Sequence, residues 1–405
     1  MKKNTLIGIF SAALLITAAN VQASQKIVSF EAAYRGAAIA KNIENLGGGV
    51  IKQFSIIDAL VAVFPDNIKN AGIYALAGVT DVAEDKYIRW IEEAPGSMNA
   101  IPLPGTENVF SMIRSGEGWE PPAFSGIVLA ADPAEQEIPW GVKRVNASGA
   151  WNSTEGAGVK VAVIDTGMDY THPDLKANYA GGYNAIVTTA TPMDDQGHGT
   201  HVSGTIGAAR DSKGVVGVSP GVSLYAVKVL DENGSGEYSA IISGIEWAVQ
   251  NKMNIINLSL GSNEDVKAVR NVITAAYTAG VTIVCAAGNN AGAVLYPAKY
   301  PEAIAISASN PDQANTITSF SSRGPEIAFI APGLNINSTA KAGGYLIKSG
   351  TSMAAPHVAG LAALAIAAGA KTPAAVREML TKAAASAGIS TEAGAGMIDA
   401  AKLIK

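Results

Sequence analysis

Three segments of this 405-residue chain carry the groups from which a nucleophilic site could be built. Asp165 ends an apolar run in Val-Ile-Asp-Thr-Gly, His198 lies in Gly-His-Gly-Thr-His, and Ser352 lies in Ser-Gly-Thr-Ser-Met-Ala-Ala-Pro. A serine hydroxyl is a weak nucleophile alone, so it needs a histidine to accept its proton and a carboxylate to orient that histidine. Together the three residues predict acyl transfer with Ser352 as the nucleophile.

A fourth group, the side-chain amide of Asn289, follows another apolar run in Ala-Ala-Gly-Asn. An amide N–H can stabilise the oxyanion that forms when a carbonyl carbon is attacked, and the N–H of Ser352 at a helix start could be a second donor. Taken one at a time, these motifs also fit turns and helix caps. Asp-Thr-Gly also fits half of an aspartic protease, but the chain offers one such motif where two are needed.

The elements that would position these residues are short apolar strands separated by longer helical patterns. We predict strands over 160–164, 223–229, 254–260, 281–285 and 303–306, and helices near 198–209, 238–251, 264–279, 352–369 and 373–385. Continuously apolar strands between helices are typical of a parallel sheet covered on both faces, which predicts an α/β, doubly wound domain over 135–405. Such sheets form their sites at the carboxyl ends of the strands, where Asp165 and Asn289 lie.

The first 134 residues divide into three parts. Residues 1–23 have two lysines, an apolar run over 6–19 and small residues before position 24, a pattern typical of a cleaved signal peptide. Residues 24–90 follow the order β-α-β-β-α-β, which predicts a small α+β ferredoxin-like domain. Residues 91–134 hold six prolines and show little periodicity, which predicts a linker or processing region.

The composition excludes several classes of protein. A net charge of −5 with 16 % charged residues offers no basic surface, so we expect no nucleic-acid partner. The apolar run over 6–19 is too short to span a bilayer, so we expect no membrane anchor and a secreted or extracellular protein, with the periplasm as an alternative. Cys285 is the one cysteine, so no intramolecular disulfide can form.

The motifs around Asp165, His198 and Ser352 resemble those of the subtilisin-like serine proteases (subtilases, peptidase S8), and the similarity covers essentially all of 135–405. The resemblance implies the subtilisin-like three-layer fold and a secreted serine endopeptidase of broad specificity. It further implies that Asp165 orients His198, which acts as base and then as acid. Ser352 would form the acyl-enzyme, and Asn289 with the Ser352 N–H would stabilise the oxyanion.

Residues 24–90 resemble the inhibitor-like propeptides of this family. The resemblance implies a self-processing zymogen whose own propeptide is an intramolecular chaperone and inhibitor, and a mature enzyme that is a monomer. In simpler members the propeptide leads almost directly into the catalytic domain, whereas here about 45 residues intervene. The maturation point is therefore open between 90 and 134.

Substrate contacts are also implied by the resemblance. Two edge segments, around Ser235 and Ser259, would pair with the backbone of a protein or peptide substrate. The residues implied to wall the outer pocket are Tyr238, Ile241 and Leu260, and those implied to wall the primary pocket, where small residues leave room, are Ala286, Gly288 and Gly261. Ser235, Gly236, Ser259 and Leu295 complete the set of implied substrate contacts. Leu295 stands where we expect a small residue, so we predict a primary pocket that favours small or medium side chains.

A structural Ca²⁺ is the implied ion, because hard cations bind carboxylate, amide and carbonyl oxygens. The implied ligands are the side chains of Gln136, Asp174 and Asp211 and the carbonyls of Ala209, Lys213 and Val215.

Two other functions stay open. A catalytically silent binding module would be expected to lose a member of the triad, and a secreted esterase would not need peptide-pairing edges.

Overall fold

The computed structural model describes residues 23–92, 94, 128–130, 135–311, 316–385 and 392–404. The predicted signal peptide lies outside these residues except for Ala23, and so does most of the predicted linker. Among the described residues no helix is both long and apolar enough to cross a membrane.

The N-terminal domain has the β-α-β-β-α-β order that the sequence predicts. Its elements are β1 (Ala23–Phe30), α1 (Ala37–Asn45), β2 (Gly49–Gln53), β3 (Ala59–Pro65), α2 (Asn70–Tyr74) and β4 (Val79–Glu84). The four strands form an antiparallel sheet in the order β2-β3-β1-β4. Because strand residues alternate between faces, Val28 and Phe30 pack with Ile39 and Ile43 of α1, while Ile27 joins a core shared with the larger domain.

Two further short strands lie between β4 and the larger domain. They are β5 (Tyr87–Arg89) and β6 (Val128–Ala130). Residues 128–130 of the predicted linker or processing region, 91–134, pair antiparallel with a strand of the larger domain, 344–348. Backbone pairing to an open strand edge needs no periodic sequence, which is why the pattern did not indicate it.

The larger domain is built on a nine-stranded sheet flanked by helices. The remaining strands are β7 (Lys160–Asp165), β8 (Tyr179–Asn184), β9 (Ser223–Lys228), β10 (Ser235–Glu237), β11 (Ile255–Leu258), β12 (Thr282–Ala286), β13 (Ala303–Ser309), β14 (Ile327–Pro332), β15 (Ile336–Ala340), β16 (Gly344–Lys348), β17 (Ala384–Ala385) and β18 (Met397–Ile398). The sheet order is β17-β18-β14-β13-β12-β11-β7-β9-β8, and every neighbouring pair except β17 with β18 is parallel. The α/β fold with a doubly wound parallel sheet is thus confirmed.

Helices cover both faces of this sheet. They are α3 (Trp140–Arg144), α4 (Ser148–Trp151), α5 (Pro173–Lys176), α6 (His198–Gly207), α7 (Tyr238–Gln250), α8 (Lys267–Thr278), α9 (Thr351–Ala367) and α10 (Pro373–Ala383). Val161 and Val163 of β7 pack in the core that contains α6 and α9, whereas Ala162 and Ile164 pack in the core that contains α7 and α8. Alternate residues of one strand therefore serve two cores, which explains why the strand is apolar throughout.

Candidate active site

Asp165 and His198 are hydrogen-bonded at the carboxyl edge of the sheet. Asp165 is the last residue of β7 and is fully buried, and His198 is the first residue of α6. The imidazole Nδ1 lies 2.8 Å from Asp165 Oδ1 and 3.0 Å from Oδ2. Because a carboxylate only accepts, Nδ1 carries the proton and Nε2 is left as the basic nitrogen.

The approach of α6 to β7 depends on a small residue after the histidine. A Cβ added at Gly199 would lie 2.1 Å from Gly167 O and 3.2 Å from Asp165 Cβ. Gly197 precedes the helix with a φ of 111°, in the left-handed region where glycine is favoured. Glycine on either side of His198 thus lets the helix begin against the end of the strand.

Ser352 lies in the first turn of α9, beside Asn289. The amide oxygen of Asn289 accepts from Thr351 N at 2.8 Å and from Thr351 Oγ1 at 3.0 Å. The amide NH₂ must therefore face the opposite way, toward the cleft. The Ser352 hydroxyl donates to Ser259 O at 3.1 Å, and His198 Nε2 is buried without a hydrogen-bond partner among the described residues. The serine and the histidine are thus not hydrogen-bonded in this structure.

The other three histidines have structural partners. His172 caps α5, with Nδ1 accepting from Asp174 N at 3.1 Å. Burial lowers the pKa of His201 to about 3 and the pKa of His357 to about 4, so both are neutral near pH 7. His198 is therefore the histidine that the structure offers as a base beside a carboxylate.

The two predicted edge segments both pair with the chain that leaves the N-terminal domain. β5 runs antiparallel to β10, with Arg89 opposite Ser235 and Ile88 opposite Gly236. The backbone of Trp90 is hydrogen-bonded to both edge segments. Its N–H donates to Gly234 O at 3.0 Å, and its carbonyl oxygen accepts from Gly261 N at 3.0 Å. Residues 87–92, which we call the cleft strand, thus lie where the sequence predicts that an extended substrate binds.

The cleft strand ends at the side-chain amide of Asn289. Asn289 Nδ2 donates to the carbonyl oxygen of Glu92 at 2.6 Å, and Asn289 N donates to the Glu92 carboxylate at 3.2 Å. An amide N–H that donates to a carbonyl oxygen can also stabilise negative charge that develops on that atom. Sequence reasoning missed Glu92 and Trp90, which lie at the border of the predicted linker.

The outer pocket predicted from Tyr238, Ile241 and Leu260 holds the indole of Trp90. Its ring lies edge-on to Tyr238 with centroids 5.0 Å apart, and Trp90 Nε1 donates to Gly236 O at 2.9 Å. All four side chains belong to one buried cluster. An aromatic side chain buried in this way contributes more than the neighbouring rim contacts to the affinity of an interface.

The side chain of Leu295 lies between Gly261 and Gly288, two of the residues implied to wall the primary pocket. A Cβ added at Gly288 would lie 2.7 Å from Leu295 Cγ, and one at Gly261 would lie 3.0 Å from Leu295 Cβ. Leu295 and the predicted wall residue Ala286 are both buried. The leucine therefore takes space between the two glycines that were predicted to keep this pocket open.

Comparison with known proteins agrees with this geometry. The profile of the Subtilase family matches residues 156–396. The chain belongs to the subtilase family. It is 46 % identical over 275 residues to Subtilisin of Bacillus pumilus, a match that covers 65 % of this chain and 98 % of that protein. It is 46 % identical over 275 residues to Subtilisin E of Bacillus subtilis (strain 168), covering 65 % of this chain and 70 % of that protein. Subtilisin Savinase of Lederbergia lenta is 45 % identical over 271 residues, covering 65 % of this chain and 98 % of that protein. This subtilase is a serine endopeptidase that acts on peptide bonds.

The residues predicted to hold Ca²⁺ are gathered beside α5 and α6 of the subtilase. Three carbonyl oxygens converge on the side-chain amide of Gln136, with Nε2 at 2.8 Å from Ala209 O, 3.0 Å from Lys213 O and 3.5 Å from Val215 O. The amide thus presents nitrogen to these carbonyls, whereas the prediction needs its oxygen. A 180° turn of the amide exchanges the two atoms, so the set fits a hard cation.

The two carboxylates of this set have different surroundings. Asp174 is buried, its Oδ2 accepts from Val215 N at 2.8 Å, and burial raises the pKa of its carboxyl group. A bound cation would offset that burial. Asp211 is exposed and accepts from Lys213 N at 3.3 Å. Among the described residues no three His, Cys, Asp or Glu side chains form a cluster that could hold a metal, so the two carboxylates would need the Gln136 side chain and the three carbonyl oxygens as further ligands.

Proposed function

We propose that the chain is a secreted serine endopeptidase made as a zymogen, with Asp165, His198 and Ser352 as its catalytic triad. His198 Nε2 accepts the proton of Ser352 Oγ as that oxygen attacks a substrate carbonyl, and Asp165 holds the imidazole through Nδ1. His198 then returns the proton to the leaving amine, which leaves an acyl-enzyme on Ser352. Water, deprotonated by His198, releases the acid and regenerates the serine.

This proposal is supported chiefly by the position of the Glu92 carbonyl group. Its oxygen lies 2.6 Å from Asn289 Nδ2, and the residues before it pair with both edge segments. The same atom would become the oxyanion if Ser352 attacked the Glu92 carbonyl carbon. We infer that the first maturation cut follows Glu92, which narrows the interval of 90–134 left by the sequence.

The N-terminal domain would then act as propeptide, chaperone and inhibitor of the same chain. Glu246 of α7 is buried at the contact and accepts from Ser55 N, Ser55 Oγ and Ile56 N. A second bond has its acceptor on the N-terminal domain: Asp85 Oδ1 accepts from Ser239 N, in the first turn of α7, at 2.9 Å. Parallel sheets fold slowly because their contacts are distant in sequence, so a domain that fixes α7 early would help the sheet assemble.

Substrates would bind as an added strand between the two edges, with specificity set by two pockets. Pairing through the backbone tolerates many sequences, which supports broad specificity. Leu295 limits the primary pocket to small or medium side chains. Because the indole of Trp90 packs against Tyr238, we expect the outer pocket to accept aromatic side chains.

The bound ion that we propose is one structural Ca²⁺ at Gln136, Asp174, Asp211 and the carbonyls of Ala209, Lys213 and Val215. Such an ion would tie the start of the larger domain at Gln136 to the loop after α6. A chain without an intramolecular disulfide gains stability from such a tie when it works outside the cell as a monomer. Export itself is supported by the signal-peptide pattern over 1–23.

A fluorophosphonate probe tests the proposal directly. The wild-type protein and a Ser352→Ala variant are incubated with the probe, and the intact mass of each is measured. One adduct on the wild type and none on the variant is the expected result. A folded and processed wild type that takes no probe would favour the silent binding module instead.

A further inference from the structure

Two buried side chains outside the triad, Thr166 and Asp194, join the strand that ends at Asp165 to the helix that begins at His198. Thr166 directly follows Asp165, and Asp194 lies four positions before His198. Thr166 Oγ1 donates to Asp194 Oδ1 at 2.9 Å, and both residues are buried. We call this pair the Thr166–Asp194 bridge.

The bridge binds the backbone at the amino end of α6. Gly199 N donates to Thr166 Oγ1 at 2.9 Å, and Thr200 N donates to Asp194 Oδ2 at 2.9 Å. Gly197 N donates to Asp194 Oδ1 at 2.8 Å. The first N–H groups of a helix have no acceptor within the helix, so these bonds determine where α6 begins and how its first residue is oriented. That first residue is His198.

The bridge is equally tied to the strand. Thr166 N donates to Asp165 Oδ1 at 2.7 Å, so the residue that anchors the helix also holds the carboxylate that orients the imidazole. The carbonyl of Thr166 accepts from the buried Lys228 Nζ at 2.8 Å. Every polar group of Thr166 is therefore engaged, and a shift of Thr166 would move Asp165 relative to His198.

The charge of Asp194 suits this role. Burial acts to raise the pKa of its carboxyl group, but hydrogen bonds from Thr200, Gly197 and Thr166 outweigh burial and lower the pKa. An ionised carboxylate has only acceptors, which matches a set of partners that are all donors.

We propose that Thr166 and Asp194 are positioning residues of this protease, which set the Asp165 carboxylate and the His198 imidazole at their reacting distance. The inference rests on the proposed catalytic roles of Asp165 and His198. In the described part of the chain neither bridge residue hydrogen-bonds to the edge segments 234–236 or 259–261, so we expect substrate binding to change little when the bridge is lost. Its loss therefore lowers kcat and leaves KM nearly unchanged.

The test uses three threonine variants of the full-length protein. Thr166→Val removes the hydroxyl at nearly constant volume, Thr166→Ser keeps it, and Thr205→Val removes a buried hydroxyl of the same helix whose bond, to His201 O, is internal to α6. Kinetics on a peptide substrate and thermal unfolding are measured for each. T166V should lose about 10- to 100-fold in kcat, the scale of a misplaced catalytic group, while T166S and T205V stay within about threefold of wild type.

Two outcomes would overturn the inference: a T166V kcat equal to that of T205V, or an equal loss in T166S. If T166V does not fold, Thr200→Val removes a hydroxyl bond to Asp194 from the helix side and should give the same loss of kcat at unchanged KM. Wild-type protein without activity would refute the proposed function itself, whereas active wild type with an unaffected T166V refutes only the bridge.

Discussion

The hydrogen bonds of the Asn289 side chain indicate its role in the reaction. Its amide oxygen accepts two hydrogen bonds from Thr351, which fixes the plane of the amide, and its Nδ2 donates to the Glu92 carbonyl oxygen. A donor fixed before the reaction stabilises the developing charge without a cost of reorganisation.

We therefore predict that Asn289→Ala lowers kcat for peptide hydrolysis by about 10²–10³-fold, a magnitude known from a subtilisin, with a smaller change in KM. Asn290→Ala is the matched control, because the Asn290 side chain bonds to Gly292 N and Ser322 Oγ. Equal kcat values for the two variants would exclude Asn289 from the oxyanion site.

Leu295 carries the prediction about specificity. Leu295→Gly should open the primary pocket and raise kcat/KM for Phe over Ala at the cleaved position by at least about tenfold, since each methylene in such a pocket is worth about 10- to 200-fold. Val294→Ala, a truncation of the buried neighbour, should leave the preference unchanged. A wild-type enzyme that already cleaves efficiently after Phe would contradict the narrow pocket.

The triad residues could be predicted from the sequence because each sits beside a glycine or a strand end that leaves a local pattern. Glu92 and Trp90 left none, because their role depends on where the cleft lies relative to a separate domain. The hydrogen bond from Ser352 Oγ to Ser259 O could not be predicted from the sequence either, because it depends on the side-chain conformation of Ser352 and not on residue type.

At the scale of elements, the junction of β7 with α6 makes stability depend on pH. The folded state holds the pKa of Asp194 below its ordinary value of about 3.9, so the carboxylate stabilises the fold above that value. This stabilisation is lost as the pH falls through the lowered, folded-state pKa.

Urea unfolding of the inactive Ser352→Ala protein should therefore show a steeper loss of stability below pH 4 than the same protein with Asp194→Asn. The asparagine cannot titrate, so it removes this part of the pH dependence while lowering stability at pH 7. Parallel stability curves for the two proteins between pH 7 and pH 3 would show that Asp194 is not the titrating group.

Most of the strands that sequence reasoning missed lack a continuous apolar run, whereas β14 was missed although it is apolar and lies inside the sheet. β8 contains two consecutive glycines and lies at the sheet edge, so it lacks the continuous apolar run of a central strand. β15 and β16 form an antiparallel pair in which β15 has three consecutive polar residues, 337–339, and β18 has two residues. The five central strands, buried on both faces, were predicted with shifts of a few residues at their ends.

At the scale of the whole molecule, the N-terminal domain is held in the cleft by one buried aromatic anchor. Trp90→Ala in the full-length chain should weaken this hold and speed fluorophosphonate labelling of Ser352 by about 30-fold or more, the effect of losing an anchor worth at least about 2 kcal/mol. Ile51→Ala, at an exposed position of the same domain, is the control. Identical labelling rates for the two variants would refute the anchor.

Calcium would act on the molecule as a whole by joining its first segment to the loop after α6. A chelator should lower the Tm of the mature enzyme, and Asp174→Asn should abolish that response because it removes the buried charge of the set. Glu378→Gln, on the exposed face of α10 where the carboxylate pairs with Lys382, should keep it. A Tm that is unchanged by both chelator and added Ca²⁺ would refute the proposed calcium site.

The most direct test of the account is the fate of the chain's own bond after Glu92. Full-length wild type and Ser352→Ala are produced without other proteases, and their intact masses are followed over time. The wild type should separate into a fragment ending at Glu92 and the remainder, while S352A should stay one chain. Cleavage of S352A at the same bond, or a wild type cut elsewhere first, would contradict it.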